Sequence, residues 1–162
     1  MFRPMRRHKQ ALTQTECAAV LQRGTSGVLA VSGDGGYPYA VPLSYVYQEG
    51  ALFFHCAKSG HKLDAVARCP KASFCVIDQD RVIPQEYTTY FRSVIVFGTV
   101  QVLEEEQEKR AAIQALAAKY APRETFASQQ AAIAREWAAL CMLKLSISHM
   151  AGKQAIELTK GN

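Results

Sequence analysis

Five consecutive residues, Lys58-Ser59-Gly60-His61-Lys62, have the types and spacing to hold an anion. They follow a short apolar run, residues 51–56, and precede Leu63, Val66 and Ala67 at helical spacing, with Pro70 closing the pattern. Ser59 is a good N-cap, so the spacing predicts a helix starting near Gly60. The free amides of a first helical turn carry partial positive charge, and a carboxylate is the ordinary side chain to meet it. Here the sequence adds His61 and Lys62 instead. The mismatch disappears if an external phosphate-like anion is held by the amides, the Ser59 hydroxyl and the Lys62 ammonium. The residues alone leave a second reading open, a surface turn with two solvated cations.

Other chemistries find less support. The five cysteines, Cys17, Cys56, Cys69, Cys75 and Cys141, are odd in number and form no C-x-x-C pair, which indicates neither a disulfide framework nor a thiolate zinc site. His55, Cys56, His61 and Cys69 cluster in sequence, but strand alternation puts His55 and Cys56 on opposite faces, and no metal is expected. Gly33-Asp34-Gly35-Gly36 precedes a strand rather than a helix, so it fails as a dinucleotide loop. A nucleophile elbow and a paired-carboxylate signature are both missing.

With 162 residues, 49% hydrophobic and 20% charged, the chain is expected to form one domain over residues 1–162. Part of its net charge of +5 is local, because Arg3, Arg6, Arg7 and Lys9 make residues 1–12 a basic arm. Such an arm is expected to be solvated or to touch a partner subunit or a phosphate ligand. Nucleic-acid binding is the rival, and neither a basic helix face nor paired surface aromatics support it. The start has no apolar signal-peptide run, and no segment approaches the roughly 18–20 apolar residues of a membrane span. No membrane association and a cytoplasmic location are therefore expected.

The elements that must position the anion turn follow from periodicity. Thr13-Gln14-Thr15-Glu16 is a capping box that opens a helix ending at Arg23-Gly24. Residues 28–31, 39–47 and 51–56 read as a meander of three antiparallel strands turning at 33–36 and 48–50. Residues 72–77 form a fourth strand, 78–86 a polar loop, and 87–103 a long strand in which Gly98 suggests a bulge. Helices are expected over 104–120 and 124–138, and a last strand over 141–148. The fold class is α+β, an antiparallel barrel of about six strands with flanking helices. Val94 and Val96 alternate with Ile95 and Phe97, so this strand needs cover on both faces, either from an overlying helix or, the favoured expectation, from a homodimer interface. Pro42 cannot donate to a ladder and marks an edge where backbone groups stay free for a ligand.

Taken together, these segments resemble the FMN-binding split β-barrel family of pyridoxamine 5′-phosphate oxidase, and within it the nitroimidazole-reductase (Nim-type) branch. The resemblance is carried by residues 27–30, by Pro38-Tyr39-Ala40-Val41-Pro42-Leu43-Ser44-Tyr45-Val46, by residues 54–62, and by residues 90–98, with Glu108-Lys109 and Gly152-Lys153 following. It implies a split barrel with FMN at a dimer interface. It implies flavin-ring contacts at Val41, Pro42, Leu43 and Ser44, and a ribityl-phosphate site at His55, Ala57, Ser59, His61 and Lys62. Arg92 and Ser93 are implied as further contacts, on the strand where relatives bring a second subunit to the flavin. The resemblance also implies an FMN-dependent oxidoreductase that reduces a small acceptor such as a nitroaromatic, with NADH or NADPH as the donors to test. No side chain is then an essential proton donor, because the redox atoms belong to the cofactor. The tail, residues 151–157, does not look like the basic segment with which pyridoxamine phosphate oxidases grip substrate, so that activity is not expected. The alternative is a non-enzymatic FMN- or haem-binding barrel, with His55 or His61 as the axial candidate.

Overall fold

The computed structural model describes residues 1–159; of the span 1–162 expected as one domain, residues 160–162 lie outside it. Helix α1 (Gln14–Arg23) opens on the expected capping box. The Glu16 amide donates to Thr13 Oγ1 at 3.2 Å, and the Thr13 amide donates to Glu16 Oε2 at 2.7 Å. Strands β1 (Ser26–Ser32) and β2 (Pro38–Ser44) form a hairpin around the 3-10 turn Asp34–Gly36. Strands β3 (Val46–Gln48) and β4 (Ala51–Ala57) form a second hairpin, followed by α2 (His61–Arg68). The chain continues through β5 (Lys71–Ile83), β6 (Thr88–Val102), α3 (Glu106–Tyr120), α4 (Phe126–Glu136) and β7 (Leu140–Gln154).

The sheet has seven strands in the order β2-β1-β5-β6-β7-β4-β3, all neighbours antiparallel. Two expectations are corrected here. Residues 39–47 are two strands divided at Tyr45, and there is no three-stranded meander, because β2 and β3 lie at opposite edges of the sheet. Tyr45 is the crossover residue, fully buried, with its hydroxyl donated to the Leu21 carbonyl at 2.8 Å. Residues 78–86 are likewise not a loop. Strand β5 runs on to Ile83 and pairs with β6 on both sides of the short turn Pro84–Glu86.

Two cores follow from strand alternation. Inside the barrel, Leu29, Phe54, Phe74, Val94, Leu143 and Leu145 pack with Val20 and Leu21 of α1. Outside it, α3 covers Val46, Leu140 and Met142 with Ala112 and Leu116, and α4 packs on α3, so β4 and β7 are covered on both faces. The expected bulge is present, as a register shift at Phe97/Gly98 against β7. A Cβ on Gly98 would meet the Ser146 carbonyl at 2.0 Å, which restricts the position to glycine. On the outer face Ile77, Ile95 and Phe97 stay exposed, so within one chain this side of β5 and β6 lacks the cover that the sequence calls for.

Candidate functional site

Strands β2 and β4, from the two halves of the sheet order, come into contact along the split of the barrel, and the split between them forms a groove. Ser44 at the end of β2 and His55 of β4 border one cavity, and the Tyr39 ring stacks on His61 with centroids 4.0 Å apart. Along β2 the exposed residues are Pro38, Ala40, Pro42 and Ser44, while Tyr39, Val41 and Leu43 pack against the inner core. Their side chains are thus core residues, and only their backbone faces the groove side of an edge strand. On β4, His55 and Ala57 are exposed, whereas Phe54 and Cys56 turn to the core.

At the far end of this groove α2 begins. Its N-cap is Gly60, at φ 131°, a backbone conformation that strongly favours glycine. Ser59 is therefore one residue outside the cap position expected for it, and it is exposed with no side-chain cap on the first turn. The Leu63 and Asp64 amides return to the Gly60 carbonyl, leaving those of His61 and Lys62 as the first-turn donors. Lys62 is half-buried and has no carboxylate partner among the described residues. It lies near Cys56, whose thiol burial pushes up to about 11, with neighbouring Cys141 adding to the rise and Lys62 opposing it.

His61 is differently placed. Its ring is held between Tyr39 and Asp34, with Nε2 buried, unbonded and 3.5 Å from Asp34 Oδ2. Asp34 also takes Arg68 at 2.6 Å, so the β1–β2 turn supplies part of the negative charge that the α2 sequence lacks. The uncompensated cations at the turn, among the described residues, are the exposed Lys58 and the half-buried Lys62.

Arg92 and Ser93 do not join this group within one chain. They pair with Gln154 and Lys153, whereas His55 pairs with Met142. Residues 142 and 154 are separated by roughly 40 Å of extended strand. Arg92 instead contacts Asp78 Oδ2 at 3.3 Å and Gln154 Oε1 at 3.1 Å. Arg23 clasps the same carboxylate at 2.6 and 2.7 Å, and this hydrogen bonding, more than the contribution of Arg92, holds Asp78 below the usual carboxylate range.

The cavity at the Ser44–His55 end has a volume of about 460 Å³ and is roofed by α3 and α4. Its walls are mainly aliphatic, with Ile113, Leu116, Ile133 and Leu140 among them, and Tyr120, Glu124 and Glu136 are the wall residues that sequence reasoning missed. Nothing in the local pattern separates them from ordinary surface residues of two Ala-rich helices; only the tertiary placement of α3 and α4 does.

Comparison with known proteins decides the family. The model of the pyridoxamine 5′-phosphate oxidase family matches residues 13–154. The chain belongs to this family. A search among curated proteins finds no match. Among solved structures, a candidate 5-nitroimidazole antibiotic resistance protein from Bacteroides thetaiotaomicron is 19% identical with TM-score 0.73, covering 89% of this chain and 86% of that one. A FAD- and haem-binding protein from Mycobacterium smegmatis is 23% identical with TM-score 0.73, covering 95% and 80%. A FAD-binding protein from Mesorhizobium loti is 22% identical with TM-score 0.64, covering 90% and 97%. At these identities the likeness establishes a shared fold, the split barrel, and the family's branches differ in what they bind. Among the described residues no helix is long and apolar enough to cross a membrane.

Proposed function

We propose that the protein binds FMN along the β2–β4 split and passes electrons from it to a small acceptor. One observation carries the reading: β4 runs from an apolar cavity at His55 toward a helix start, three residues beyond its end, that has unpartnered donors and an unpaired Lys62. The helix start suits a terminal phosphate, and the outward row Pro42, Ser44, His55 and Ala57 suits a flat ring and its polar chain. When bound, FMN supplies the electron or hydride transfer itself. The chain's part is to fix the phosphate with Lys62 and the first-turn amides. The β2 edge offers hydrogen bonds to a ring, and the α3–α4 roof excludes water from its neighbourhood.

The homodimer belongs to the same reading. Exposed Ile77, Ile95 and Phe97 need cover, and a second copy over that face would bring Arg92 and Ser93 toward a groove they cannot reach in their own chain. Reconstitution tests the whole reading: FMN should bind in a ratio of one per chain, to a protein that sediments as a dimer, and NADH or NADPH should bleach it. Absence of binding by FMN and FAD alike would end the flavin reading.

A haem-binding, non-enzymatic role is the second reading. His55 is exposed on the cavity wall, whereas His61 is engaged by Tyr39 and Asp34, so His55 is the axial candidate. A Soret band in reconstituted protein, lost in His55→Ala, would favour it.

A further inference from the structure

We propose that the cavity beneath α3 and α4 is the acceptor site and that it selects uncharged or cationic, largely apolar molecules against anions. The proposal rests on the flavin reading and adds the chemical class of the acceptor. The chain carries a net charge of +5, yet among the described residues no lysine or arginine lines this cavity, and the only charged wall residues among them are Glu124 and Glu136. The nearest lysine on α3, Lys119, is turned away, its ammonium donating to the Gly24 and Tyr45 carbonyls, the latter at 3.0 Å. Glu124 accepts only the Ser128 hydroxyl, at 3.3 Å. Glu136 has a loose, exposed partner in Arg135 at 3.7 Å. Both carboxylates are therefore weakly paired; they are exposed, so water screens them in part, and low salt leaves their field at the cavity strongest.

The polar groups of the wall narrow the class further. Tyr120 and Gln129 already spend their hydrogen bonds on the backbone of Tyr45 and Ala121 and on Gln114. The Ser44 hydroxyl and the His55 ring remain, both at the end that adjoins the groove. A ligand that fits is apolar along the α3–α4 roof and carries its polar, reducible group toward Ser44 and His55. An anion entering this space would lose its hydration and face two carboxylates with no cation to replace it. The two ends of the groove thus have opposite signs, Lys62 for a phosphate and Glu124 with Glu136 for the acceptor.

Calorimetry with nitrobenzene, 4-nitrobenzylammonium and 4-nitrobenzoate on both the FMN-free and the FMN-loaded protein tests this at low salt. The neutral and cationic probes should bind at least tenfold more tightly than the benzoate. Glu124→Gln with Glu136→Gln should bring nitrobenzoate within threefold of nitrobenzene. Ala132→Phe, which fills the cavity from an exposed position on α4, should remove probe binding and leave FMN uptake intact. Equal binding of benzoate and nitrobenzene by the unmutated protein would overturn the proposal. So would unchanged probe binding in Ala132→Phe, or loss of FMN in that variant, which would put the flavin itself in the cavity. Failure of the unmutated protein to take up FMN would overturn the flavin reading and with it the cavity's role as an acceptor site, while the probes on the FMN-free protein would still report the cavity's charge preference.

Discussion

The Tyr120 hydroxyl accepts the Tyr45 amide at 2.9 Å and lies within reach of the Thr25 and Tyr45 carbonyls, to one of which it donates. Tyr45 is the single residue at which the chain leaves one edge of the sheet for the other, so its backbone has no ladder on either side. The last turn of α3 replaces that ladder. Lys119 adds its ammonium to the same crossing, where burial lowers its pKa. Tyr120→Phe removes an acceptor and a donor from this backbone. Because Tyr120 is partly exposed, water recovers some of the loss, and chemical denaturation should register about 1–2 kcal/mol.

Asp78 gives stability a pH dependence of known sign. Arg23, and secondarily Arg92, lower its folded pKa below the ordinary value of 3.8, so its contribution is fully present above about pH 4 and is lost as pH falls through the folded value. Asp78→Asn should cost about 1.5–3 kcal/mol at neutral pH and flatten the acid limb of a stability profile. An unaltered acid limb in the variant would assign the acid sensitivity to other carboxylates.

Lys62→Ala should weaken FMN by roughly 2–4 kcal/mol while leaving riboflavin nearly unaffected, as expected of a charge-assisted contact to phosphate. Fluorescence titration of both ligands separates the phosphate from the ring. Equal losses would place Lys62 away from the phosphate.

Phe97→Asp puts a charge in the middle of the exposed outer face, beside Ile95 on the same strand. Sedimentation at micromolar concentration should then show a monomer of about the chain mass, with FMN affinity reduced because the site is shared. A dimer that persists in this variant would locate the interface elsewhere.

The local signals in the sequence were those with a local cause. Thr13 and Glu16 cap α1 through bonds three residues apart, and Gly98 marks a bulge because only glycine clears the Ser146 carbonyl. Pro42, Ser44, His55 and Ala57 were singled out by the family resemblance and prove to be exposed positions of two strands, and the helix start near Gly60 was legible from the residues themselves. Long-range causes were not legible. Gln79, Asp80 and Arg81 carry no apolar alternation, yet they are strand because they pair with β6, beyond a bulge at Asp78. Tyr45 looked like one more alternating residue, and its role depends on Leu21, Lys119 and Tyr120, all distant in sequence. Arg92 resembled a ligand contact, but its nearest anion is a carboxylate of its own chain, Asp78.

The strand order also dictates when the molecule can be assembled. The last strand, β7, occupies a central place between β6 and β4, so it joins two hairpin-built halves that have no other direct ladder between them. During synthesis the β1–β2, β3–β4 and β5–β6 pairs can each form as they emerge, but they must wait for residues 140–154 before closing into one sheet. Until then β4 and β6 each present a bare, apolar edge to any neighbouring chain. A nascent chain arrested before residue 140 is thus a candidate client for chaperones, and a truncation there removes the keystone of the barrel rather than a dispensable tail.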